Sequence, residues 1–74
     1  MQTIADSKSL GSLVRQERKA QGLTQDELAG LTGVGVRFVR ELEAGKETCQ
    51  LGLALQVARA LGLILTARGR REAP

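Results

Sequence analysis

The sequence predicts an all-α domain of four to five helices, and three observations predict it. Leucine and alanine supply most of the apolar residues, while valine, isoleucine and threonine are sparse, a balance that favours helix. Apolar residues recur at helical spacing in four stretches. Each stretch closes on a glycine, at Gly22, Gly33, Gly45 and Gly62, the residue best suited to a left-handed turn at a helix end. The one proline is Pro74, so no ring interrupts these patterns.

The first helix is expected over about residues 8–21, capped by Ser7 or Ser9. Leu10, Leu13, Val14, Glu17 and Gln21 share one stripe, with Lys8, Arg15 and Lys19 off it. Residues 1–6 have no pattern and read as a loose arm. The sharpest local signal follows. Thr24 and Glu27 have the spacing of a capping box, and Leu23 and Leu28 that of a hydrophobic staple. The second helix then runs over about residues 25–31 and stops at Gly33. Gly30 inside it costs about 0.5–1 kcal/mol relative to alanine.

Val34 and Gly35 lead into a third helix whose Val36, Val39 and Leu42 face inward. Gly35 is a weaker N-cap than serine or threonine. Phe38 either packs beside Leu42 at the core edge or points outward as a hydrophobic contact. The fourth helix, about residues 51–61, is expected to bury Leu51, Leu55, Ala58 and Leu61. Residues 63–67 are too short for another helix before Gly69, and their apolar run reads as a strand.

Composition narrows the function. Seventy-four residues make one domain, which buries only about 60% of its unfolded surface and gains from oligomerisation. Cys49 is the sole cysteine and histidine is absent, so neither an intrachain disulfide nor a typical zinc site can form. No cofactor is implied, and no nucleophile–base constellation points to an enzyme. Cys49 reads as a small half-buried residue rather than a reactive thiol. Phe38 is the only aromatic, which argues against base-stacking surfaces for RNA or single strands. There is no signal-peptide core and no long apolar run, so a soluble cytoplasmic protein is expected. Net charge is +3, and the excess lies in residues 48–74, which carry four arginines and one glutamate. A basic balance hints at a polyanion.

Two short helices joined by a glycine turn form the helix-turn-helix pattern, here over residues 24–44. The outward stripe of its second helix is Arg37, Arg40, Glu41 and Ala44. In a DNA major groove Arg37 would pair with a guanine edge, a contact worth about 1–3 kcal/mol of discrimination. Val36 would meet a thymine methyl, and Glu41 would either orient Arg37 or accept from a cytosine amine. Arg40 and Lys46 suit phosphates, as does Gln25 with the N–H groups at its helix start. The competing reading of Arg37 and Glu41 is an ordinary i,i+4 pair on a solvated face.

The stretch Gly22–Lys46, with its Gly-Leu-Thr-Gln, Glu-Leu-Ala, Gly-Val turn and Leu-Glu-x-Gly-Lys, resembles the Cro/C1-type (Xre-type, lambda-repressor-like) helix-turn-helix domains. The resemblance covers about residues 10–62. It implies an all-α domain of five helices or fewer that binds operator DNA as a two-fold dimer. It places Gln25, Val36, Arg37 and Glu41 on the family's DNA-contacting positions. Arg18 and Glu43 fall on a structural ion pair between the first and third helices. Two departures stand out. Gly35 replaces a common serine or threonine, so a phosphate contact there must come from backbone, and Cys49 stands where proline is frequent.

A lone strand at Leu63, Ile64, Leu65, Thr66 and Ala67 needs a partner for its backbone groups. The same segment of a second copy would supply one in an antiparallel ladder, making a homodimer; the alternative is a frayed tail. Such an arrangement resembles the HipB-like antitoxins, which implies repression of the protein's own operon and a HipA-like kinase toxin as partner. Arg68, Arg70 and Arg71 in the tail, residues 68–74, suit phosphates, an acidic partner or a flexible end. The rivals are a repressor without a toxin, and a module that neutralises a partner protein without touching DNA.

Overall fold

The computed structural model describes residues 2–72. Four helices follow in order: α1 (Ser7–Ala20), α2 (Gln25–Thr32), α3 (Val36–Glu43) and α4 (Leu51–Ala60), with a single 3-10 turn at Arg70–Glu72. α3 packs against α1 and α2, and α2 also against α4. Each helix sends one large side chain to the centre: Val14, Leu28, Val39 and Val57 are fully buried. Each contributes about 1.5–3 kcal/mol by leaving water. Ala29, Leu42, Ala54, Ala58 and Leu61 complete the core, and Phe38 packs half-buried at its edge.

Asp6, rather than Ser7 or Ser9, is the N-cap of α1. Its Oδ1 accepts from the Ser9 N–H at 2.8 Å, and Ser9 Oγ accepts from the Asp6 N–H at 3.0 Å. The backbone hydrogen bond from Ser9 holds the Asp6 carboxyl below its ordinary range. Thr24 and Glu27 form a second box at the start of α2, with Thr24 Oγ1 accepting at 3.0 Å and Glu27 Oε1 at 2.8 Å. Side chains also tie the far ends together. Gln56 donates to the Thr32 carbonyl at 2.7 Å, and Gln21 donates to the Leu61 carbonyl at 2.7 Å.

One expectation is corrected. α4 buries Ala54, Val57, Ala58 and Leu61, while Leu51 is 67% exposed and Leu55 lies outside the core. Its sequence is apolar on nearly every side, so two stripes compete. The buried one carries the alanines, which let α4 lie close to α2. In the single chain residues 63–69 carry no regular secondary structure; the ladder partner expected for residues 63–67 belongs to a second copy. A strand needs a ladder partner, and the described residues offer none. Leu63 packs on the core and its N–H donates to the Ala58 carbonyl at 3.0 Å, whereas Ile64 is 88% exposed. Of the tail, residues 70–72 form the 3-10 turn, and Ala73 and Pro74 lie outside the described residues, as does Met1 of the arm.

Gly30 lies exposed inside α2, and a Cβ built there meets nothing within 4 Å. Gly30→Ala is therefore expected to stabilise the fold by about 0.4–1 kcal/mol, chiefly by restricting the unfolded chain. The thermal midpoint should rise by roughly 2–8 °C. A midpoint at or below that of the parent would show that α2 needs this glycine.

Candidate nucleic-acid interface

The corner between α2 and α3 is Gly33-Val34-Gly35. Gly33 is left-handed at φ 74°, and its N–H donates to the Ala29 carbonyl at 2.9 Å. Val34 packs half-buried against the core beneath the turn. Gly35 is extended and serves as the N-cap of α3 without a side chain to close it. The Phe38 N–H donates to the Gly35 carbonyl at 3.0 Å, which leaves the Val36 and Arg37 N–H groups without a cap.

The outer face of α3 carries the charges. The Arg37 side chain is 88% exposed, and its Nε lies 3.4 Å from Glu41 Oε2. Lys46 Nζ reaches the same oxygen at 3.2 Å. The Lys46 hydrogen bond, helped by the charges of Lys46 and Arg37, lowers the Glu41 pKa against the opposing effect of burial. Glu41 thus draws together two cations with different expected roles, Arg37 for a base and Lys46 for a phosphate. Arg37 is held through Nε, and neither terminal guanidinium nitrogen has a hydrogen-bond partner among the described residues. Val36 is half-buried against the core, which leaves only part of its side chain for a ligand.

Arg18 and Glu43 form a two-pronged ion pair. Nε to Oε2 is 2.6 Å and Nη2 to Oε1 is 3.0 Å. Their side chains are 9% and 3% exposed. Arg18 Nη1 also donates to the Leu23 carbonyl at 2.7 Å, so one guanidinium joins α1, the loop before α2, and α3. The Glu43 hydrogen bond raises the Arg18 pKa above its ordinary value. Gln25 joins the network, donating to Glu43 Oε1 at 3.1 Å. Its amide is thus not free, but one of its two N–H groups remains.

Beside this network lies an open cleft of about 530 Å³, lined by Arg15, Thr24, Gln25, Arg40 and Ala44 above the Arg18–Glu43 floor. Arg15 is missing from the sequence-derived site because it lies off the apolar stripe of α1 and reads as an ordinary surface charge. The available signal was its place three residues before Arg18, on the same side of the helix. Among the described residues no group of acidic, cysteine or histidine side chains is arranged to hold a metal ion, and no helix is long and apolar enough to cross a membrane.

A family model described as helix-turn-helix matches residues 14–65. The HTH-type transcriptional regulator y4mF of Sinorhizobium fredii is 60% identical over 59 residues, which span 80% of this chain and 78% of the relative. An HTH-type transcriptional regulator of Methanothermobacter thermautotrophicus is 47% identical over 51 residues, 69% of this chain and 74% of the relative. Among solved structures, a HipB–O4 20mer complex and a HipA–HipB–O2–O3 complex each match with a TM-score of 0.85 at 23% identity, over 95% of this chain and 99% of theirs. At that identity the likeness concerns the fold. The family match spans the whole α2–α3 corner and the core around it, and both relatives are far above 30% identical over more than two thirds of this chain: the chain belongs to the helix-turn-helix family.

Proposed function

We propose that this protein is a sequence-specific repressor of double-stranded DNA that acts as a homodimer, the antitoxin partner of a HipA-like kinase toxin, and that it represses its own operon. The observation that carries the DNA reading is Arg37. It stands 88% exposed on the outer face of α3, steadied through Nε by Glu41, with its terminal nitrogens free to fork onto a guanine edge. Glu41 acts here as the orienting residue. Arg40, Lys46, the open N–H groups at Gly35 and the spare amide hydrogen of Gln25 serve the phosphates. Val36 offers its exposed part to a thymine methyl.

The dimer forms through residues 63–67, which pair antiparallel with their copy and satisfy the backbone groups that one chain leaves open from Ile64 to Ala67. Two α3 helices then stand about one DNA turn apart, roughly 34 Å. The toxin partner is supported by the fold likeness to HipB in a complex that also holds HipA. A repressor without a toxin is the second reading, favoured by relatives named only as transcriptional regulators. Reading the adjacent frame for a kinase separates the two.

Gel-shift titration against the protein's own upstream DNA tests the reading. Arg37→Ala should cut the preference for operator over scrambled duplex by about 5- to 150-fold, while Lys46→Ala should weaken both duplexes alike. Binding that is blind to sequence in the parent, or unchanged specificity in Arg37→Ala, would overturn it.

A further inference from the structure

Beyond the residues already given a role, one cationic side chain shares a concave surface with the α2–α3 corner. Gly11 on α1 lies against the carbonyls of Leu42 and Glu43, which presses α1 onto the C-terminal half of α3. Arg15 follows one helical turn later and lines the same cleft as Arg40. Both side chains lie in exposed residues, and neither guanidinium has a hydrogen bond or ion pair among the described residues. The floor adds no net charge, because Arg18 and Glu43 neutralise each other. Thr24 and Gln25, at the start of α2, line the same space. Two unpaired cations thus line one cleft whose only acidic lining residue among the described residues, Glu43, is already paired with Arg18.

We propose that Arg15, together with Arg40, grips a phosphodiester of the DNA backbone, so that the footprint extends past the helix-turn-helix onto α1. This rests on the DNA-binding reading. Arg15 lies on a different helix from Arg37 and reads no base, so it sets affinity and salt response rather than sequence preference.

The test is an anisotropy titration of the full chain with its own upstream duplex and a scrambled one, between about 50 and 200 mM salt. Arg15→Ala should reduce the slope of log K against log salt by about 0.9 per subunit, equally on both duplexes, with their affinity ratio unchanged. Arg15→Lys keeps the charge and should keep the slope. The thermal midpoint of Arg15→Ala should match the parent, since the side chain has no partner to lose. A parental slope in Arg15→Ala overturns the inference, and if Arg37→Ala still loses specificity the DNA reading stands without it. A loss confined to the operator duplex also overturns it, because that marks base reading. Inorganic phosphate added at constant ionic strength should leave the slope alone; competition that vanishes in Arg15→Ala would assign the cleft to a free anion instead. A parent that binds neither duplex removes the DNA reading and this inference together.

Discussion

Glu43→Ala is expected to cost the fold about 3–5 kcal/mol, the usual penalty for stranding one member of a buried ion pair. A domain of this size has a total stability of roughly 4–11 kcal/mol, so the variant should lose from about a quarter to all of it. The reason is the charge left behind. The Arg18 side chain is only 9% exposed, its pKa is raised, and its Nε and Nη2 both donate to Glu43. Without the carboxylate it keeps its charge and retains only the Leu23 carbonyl as partner. Gln25 loses its acceptor in the same step. Replacing both members with apolar residues, as in Arg18→Met with Glu43→Leu, should recover most of the loss, because no orphaned charge remains. Urea unfolding of the two single variants and the double variant checks this. A loss below about 1 kcal/mol in Glu43→Ala, the range of an exposed pair, would mean that water already serves the site.

Gly11→Ala should destabilise by about 1–3 kcal/mol, and two effects of opposite sign decide it. Alanine is the better helix former by about 0.5–1 kcal/mol, which on its own would stabilise α1. The added methyl, however, collides with the carbonyl oxygens of Leu42 and Glu43. These are helical backbone atoms that cannot rotate away, so α1 must lift from α3, at the cost of overpacking. The thermal midpoint should fall by roughly 4–20 °C. The same substitution at Gly30, with open space around it, should move the midpoint the other way. If both variants melt alike, the close approach of α1 and α3 does not govern stability.

The sequence was most legible where a signal is local. The Thr24–Glu27 box, the left-handed Gly33 and the length of α2 need only neighbours in the chain, and the structure has them. The same kind of signal misled at α1, where Asp6 and Ser9 have equally good box spacing and lie one step upstream of the expected start. Legibility failed wherever a second helix decides. Gly11 reads as a weak spot in a helix until the backbone of α3 arrives beside it. α4 carries two apolar stripes, and only the fit against α2 picks the one with Ala54 and Ala58. In the site, Arg37 and Glu41 have helical spacing, so their pairing was open to inspection. The Lys46 contact to Glu41 depends on the turn after α3, and Arg15 meets Arg40 only through packing.

The short connections between the helices have a kinetic consequence. Most neighbours in space are also near in sequence, which places this topology among chains that fold in microseconds to milliseconds. Such a chain recloses before a protease can cut it, so its half-life in a cell follows the equilibrium population of the open form rather than the opening rate. Substitutions far from the α3 surface, at Gly11 or Gly30, then act as dials on how long each molecule survives.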